Sequence, residues 1–190
     1  TFHHDVAYFT NDRWAETNMV STLLEADEWL QNDTCVISYS DICYSPSAVK
    51  KLLNTDVDIA ISYDPDWYNL WKIRMDDPLS DAETFKFDAD EKLVEIGSKT
   101  DSLSDIMGQF MGLIKITPAG YKKILDTFKA NSDLEIDDLD FTALLNLMLK
   151  NNHNVATTPI DDQWYEVDTE SDLKAYENWR CVGSPFDKFK

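Results

Sequence analysis

Glycine is scarce in this chain of 190 residues: there are five, and the first is Gly97. The stretch before it therefore offers no glycine-rich turn, and no candidate for a nest of backbone N–H groups that cradles phosphate. Positive charge is also in deficit, with 17 Lys and Arg against 36 Asp and Glu and a formal net charge of −19. That balance excludes bare nucleic acid as a partner, because phosphate contacts need clustered Lys and Arg. A phosphorylated ligand would depend on a bridging cation or a local basic pocket. Most of the acidity reads as a solvated surface. The three cysteines, Cys35, Cys43 and Cys181, are odd in number and lack metal-type spacing, which argues against a disulfide framework. No apolar run approaches the roughly 20 residues that span a bilayer, and no signal-type segment opens the chain. The expectation is a soluble, cytoplasmic protein with no membrane span. A nucleophile elbow and a Cys/His pair are missing too, so serine- or cysteine-based covalent catalysis has no support.

What is present is enough apolar residue for a real core, in one domain or one domain with an insert. Strand and helix signals alternate. Val6–Phe9 reads as a short strand, and Thr17-Asn18 supplies cap chemistry for a helix to about Leu30. Cys35–Tyr39 reads as a buried strand, Pro46 opens a helix to Leu53, and Val57–Ile61 is the next strand. This rhythm predicts an α/β fold, a Rossmann-like, mostly parallel sheet with flanking helices. Residues 64–107 read as a lid-like insert within a single domain spanning 1–190, with short strands at Glu83–Phe87 and Lys92–Ile96. Further strands are expected at Gln109–Ile116, Val155-Ala156 and Trp164–Val167. Helices are expected from Pro118 to about Lys129, from about Asp138 to Lys150, and after Thr169 to about Trp179.

Three groups of residues could carry chemistry. Asp41, in Ser38-Tyr39-Ser40-Asp41-Ile42, lies just past the end of a buried strand, where ligands bind in open α/β sheets. A carboxylate there suits Mg²⁺, which takes oxygen ligands and shares them with phosphate; it also suits a turn or a helix cap. Glu166 and Asp168 alternate, so in a strand both face one way and repel unless a cation or proton lies between them. Trp67, Tyr68 and Trp71, beside Arg74 and a run of acids, could cage an organic cation or pack as core, with Arg74 reaching a phosphate. His3-His4-Asp5 has no fourth ligand in view, and His153 stands alone in an Asn-rich turn.

In their order along the chain, several segments resemble the nucleotidyltransferase superfamily. The nearest likeness is to bacterial cytidylyltransferases acting on phosphocholine or 2-aminoethylphosphonate. It is carried by Tyr8–Asn11, Thr17–Val20, Ser38–Ile42, Asp77–Phe85, Gly108–Leu113, Trp164–Thr169 and Asp172-Leu173. The resemblance implies that Thr17, Asn18 and Met19, with Ser40, face the nucleotide. It implies that Asp41 and Asp168, with Glu166, hold Mg²⁺ as cofactor and catalytic centre. Trp67, Trp71, Arg74, Asp81, Glu83 and Gln109 would form the substrate wall. In such enzymes a phosphate or phosphonate oxygen of a small amino compound attacks the α-phosphorus of CTP, and pyrophosphate leaves.

The departure is the glycine-rich basic loop that in this family wraps the triphosphate; nothing before Thr17 matches it. The chain is accordingly expected to begin inside the family's domain, to be impaired as given, and to self-associate through an exposed sheet edge. Two other readings stay open: a non-catalytic ligand-binding or assembly module, and a sugar-1-phosphate nucleotidyltransferase.

Overall fold

The computed structural model describes residues 6–180; His3-His4-Asp5 and Cys181 lie outside them. Asn18 caps α1 (Met19–Leu24), its side-chain oxygen accepting the Met19 N–H, and α2 (Asp27–Asn32) follows. The predicted single helix is divided because the N–H groups of Glu25 and Ala26 reach back only three residues, to Thr22 and Leu23, tightening the turn. Val6–Phe9 joins no strand. Next come β1 (Cys35–Ser38), the three-residue β2 (Ile42–Tyr44) and α3 (Pro46–Leu53), which starts on Pro46 behind a Ser45 cap. They are followed by β3 (Ile59–Asp64), α4 (Trp67–Arg74), the hairpin strands β4 (Glu83–Phe87) and β5 (Leu93–Lys99), and β6 (Gln109–Ile116). The remainder is α5 (Pro118–Ala130), α6 (Phe141–Lys150), β7 (Ala156–Pro159), β8 (Trp164–Glu166) and α7 (Glu170–Arg180).

The main sheet has the order β1-β6-β3-β7. β6 runs antiparallel to both β1 and β3, while β7 is parallel to β3. Three of its four strands thus point the same way, around one reversed strand. Side-chain alternation along β3 and β6 sets the layers. Ile59, Ile61 and Tyr63 of β3, with Ile114 and Ile116 of β6, enter a core shared with α1, α2, α5 and α6. Ala60 of β3, with Met111 and Leu113 of β6, enters a second core built from α3, α4, α7 and the β2–β8 ribbon. The result is a mixed α/β sheet covered by helices on both faces. Residues 64–107, expected as an insert, contribute α4 to the second layer and the β4–β5 hairpin against α6 to the first. No helix of the described residues is long and apolar enough to cross a membrane.

Candidate functional site

The site forms where β1 ends. Tyr39 continues the strand by donating its N–H to the Gly112 carbonyl at 2.9 Å. Its ring lies against Gly112, where a Cβ would come within 2.5 Å of the ring, and Gly112 holds φ +72. Phe110 and Phe141 flank that ring at centroid distances of 5.9 and 5.8 Å. The phenol donates to Met19 Sδ at 3.0 Å. Burial pushes the phenol's pKa up, and the carboxylates of Asp140, Asp41, Glu166 and Glu83 push it further. A half-buried aromatic floor therefore carries an acidic rim.

Past Tyr39 the chain turns through exposed Ser40 and Asp41 into β2. Pairing of β2 with β8 sets Ile42 opposite Glu166, and the Val167 N–H donates to the Asp41 carbonyl at 2.9 Å. This short ribbon brings Asp41 to Glu166 and Asp168 across most of the chain. The Asp41 side chain forms no hydrogen bond or ion pair with a described residue.

Glu166 and Asp168 are not free in the same way. Both bind Arg74 of α4: Nη1 reaches Glu166 Oε2 at 2.6 Å, Nη2 bonds Asp168 Oδ2, and Nε reaches Asp172 Oδ1 at 3.4 Å. The Arg74 side chain is only 2% exposed, and its guanidinium lies 5.2 Å from the centre of the Trp71 ring. Asp172 completes the arrangement. Its Oδ2 accepts the Asp168 and Thr169 N–H groups at 3.1 and 2.8 Å, and its own N–H returns to Thr169 Oγ1 at 3.2 Å. Thr169-x-x-Asp172 is thus a reciprocal capping box, with Asp in the third helical position in place of the usual Glu. Burial pushes the Asp172 carboxyl up, but its Thr169 hydrogen bonds and Arg74 outweigh that and leave it lowered.

Glu166 shows the opposite balance. Burial, assisted by Asp168 and Asp41, outweighs Arg74 and raises it to about 7. A carboxyl raised on folding binds its proton more tightly in the native state, so its stabilising contribution is full below the ordinary value of about 4.5 and is lost as pH rises through about 7. Unfolding free energy is therefore expected to fall between pH 5 and pH 8 by on the order of 3 kcal/mol from this group. Glu166→Gln should flatten that slope in urea titrations at the two pH values. An equal slope in both proteins would remove Glu166 as its source.

The other predicted residues fall in two sets. Met19 reaches the site through Tyr39, and Glu83 lies on the same acidic rim, its carboxyl raised by burial and by Asp140 and Asp81. Thr17 accepts from Asn11 Nδ2 at 2.8 Å, and Asn18 is the α1 cap. Gln109 is buried, and its amide holds the Glu83 backbone at 2.7 Å. The aromatic cage is corrected: Trp67 and Trp71 are each 4% exposed and pack with Tyr68 and Trp164 in the second core, because α4 turns that face inward. Arg74 as a phosphate contact is corrected as well, since its guanidinium is buried among three carboxylates. A signal for both was readable: Trp67, Leu70, Trp71 and Arg74 fall at i, i+3, i+4 and i+7, the stripe of a buried helix face. A separate cleft of about 570 Å³, lined by Asp64, Leu70, Ile160 and Trp164 among others, contains none of the predicted residues.

Among the described residues no three His, Cys, Asp or Glu side chains are grouped so as to hold a metal ion by themselves. The donor set fits a hard cation of another habit, one that takes one or two carboxylates and completes its shell with water and phosphate oxygens. Asp41, with no partner among the described residues, and Asp168, 45% exposed, are the carboxylates that suit it.

The fold is that of nucleotidyltransferases. An inositol-1-phosphate CTP transferase structure from T. maritima superposes with TM-score 0.65 at 15% identity, covering 93% of this chain and 65% of that one. A Bacillus anthracis structure described as a glucose-1-phosphate thymidylyltransferase gives 0.60 at 16% identity, covering 88% and 64%. The chain thus spans just under two-thirds of either structure. No family model matches it. In sequence it is 30% identical to the CTP:phosphoglutamine cytidylyltransferase of Campylobacter jejuni, over 88% of this chain and 70% of that protein. The chain belongs to the nucleotidyltransferase superfamily, alongside that cytidylyltransferase.

Proposed function

We propose that the chain carries the metal and acceptor half of a Mg²⁺-dependent cytidylyltransferase acting on a small phosphorylated or phosphonate amino compound. Phosphocholine, 2-aminoethylphosphonate and the phosphoglutamine in the relative's name share that chemistry. The observation that carries the reading is the β2–β8 ribbon, which sets Asp41 beside Glu166 and Asp168 at the end of β1. In the reaction an acceptor oxygen attacks the α-phosphorus of CTP in line, a new P–O bond forms, and the bond to pyrophosphate breaks. Mg²⁺, when bound, supplies charge neutralisation of the phosphates. Asp41 and Asp168 would hold it, and Ser40 with the Asn18–Met19 helix start would face the nucleotide. The acidic rim of Glu83, Asp81 and Asp140 replaces the tryptophans as the attraction for the acceptor's ammonium group. Little proton transfer is required, so positioning and charge neutralisation dominate.

Calorimetry with CTP and Mg²⁺ tests the assignment. The parent chain should bind, and Asp41→Asn and Asp168→Asn should each weaken Mg²⁺-dependent binding by about tenfold or more. Equal binding by the variants would overturn it. The fully engaged Arg74 favours a second reading, a module that binds without turnover. Binding with no pyrophosphate released from any of the three acceptors would select it.

A further inference from the structure

The Arg74 cluster is graded from inside to outside. The Arg74 side chain is 2% exposed, Asp172 8%, Glu166 19% and Asp168 45%. The three carboxylates come from β8, from the turn after it and from α7, so one planar guanidinium ties three successive levels of the chain. Asp168 is held twice. Arg74 takes its Oδ2, and Asp172 takes its backbone N–H. Its other oxygen, Oδ1, has no hydrogen-bond partner among the described residues.

From this geometry we infer that Arg74 and Asp172 are positioning residues for the cation-binding carboxylates: they fix Asp168 so that one oxygen stays on the protein and the other is left without a partner among the described residues. The inference rests on the reading of Asp41 and Asp168 as cation ligands. Neither Arg74 nor Asp172 touches the cation. Arg74 acts as a fork and not merely as a charge, because its N–H groups leave a rigid plane in fixed directions while an ammonium group offers a single point of charge. Asp172 acts through the backbone, since the capping box that starts α7 also fixes where Asp168 leaves the ribbon. Partners of this kind hold ligand side chains in direction, and their loss costs metal affinity without removing a ligand.

Arg74→Lys and Asp172→Asn test this in the full chain with two readouts. The first is amide hydrogen exchange without metal. The Asp168 and Thr169 amides should exchange about tenfold faster in both variants, as expected for a lost charge-assisted hydrogen bond, while β3 and β6 amides keep their parent rates. The second is Mn²⁺ binding followed by electron paramagnetic resonance. Affinity should fall by about tenfold or more in each variant, and Asp168→Asn should cause little further loss in the Arg74→Lys background. Unchanged exchange at residues 168 and 169 in both variants overturns the positioning role, as does an additive effect of Asp168→Asn in folded protein. If the parent binds no Mn²⁺, the cation assignment fails, and exchange alone then decides whether Arg74 and Asp172 fix Asp168. Should Arg74→Lys fail to fold, Asp172→Asn, close in shape to the parent residue, still gives both readouts.

Discussion

Arg74→Met is expected to lower the unfolding free energy by about 3–5 kcal/mol, read from urea unfolding at pH 7. Methionine keeps much of the apolar stem and gives up the guanidinium that lies over Trp71, so the loss reports charge more than a cavity. Without the guanidinium, Glu166, Asp168 and Asp172 are left close together with no cation between them, and two of the three are largely buried. Removing one partner of a buried ionic group costs more than the group contributes when complete, because the stranded charges stay desolvated. Glu166 limits the damage by taking up a proton, its carboxyl already being raised to about 7. The deficit should therefore shrink as pH falls below about 7 and Glu166 takes up its proton. A loss under about 1 kcal/mol, the range of an exposed ion pair, would show that the cluster does not hold the fold as described.

Gly112→Ala is expected to cost about 2–4 kcal/mol, the sum of a left-handed backbone for a residue with a Cβ and a steric collision. The backbone part follows from φ +72, and the collision from an added Cβ 2.5 Å from the Tyr39 ring. The ring has little room to yield, since Phe110 and Phe141 stand on its flanks and its hydroxyl is bonded to Met19. A thermodynamic cycle separates the two parts. In a Tyr39→Ala background the same glycine substitution should cost only the backbone share, about 1–2 kcal/mol. Equal costs in the two backgrounds would mean that the ring does not rest on Gly112.

Much of this architecture was legible because its signals are local. Pro46 marks the start of α3, a mostly apolar run marks β6, and the end of an apolar strand marks Asp41. Where the signal is tertiary, reading along the chain runs out. The three residues of β2 are too few to show a period, and the reversal of β6 is a matter of which neighbour it meets. The site divides in the same way. Glu166 and Asp168 could be recognised as a pair of carboxylates, but their partner Arg74 comes from a helix whose inward face was read as a ligand wall. For Trp67 and Trp71 a cage and a packed core both stay open in the sequence, although the i, i+3, i+4, i+7 spacing with Leu70 and Arg74 favours the core that the structure shows. Aromatic side chains beside acids do not by themselves say which face of a helix meets solvent; the stripe does.

Strand β3 is buried at all six of its positions, from Ile59 to Asp64. A surface strand can drift at every second residue without disturbing what lies beneath it. Here each replacement must satisfy one core or the other, and a change in size on either face presses on a different set of helices. The tolerance of this segment to random substitution should accordingly be the lowest in the chain. A library diversified at Ile59 to Asp64 should return few folded members, and those few would change one face at a time.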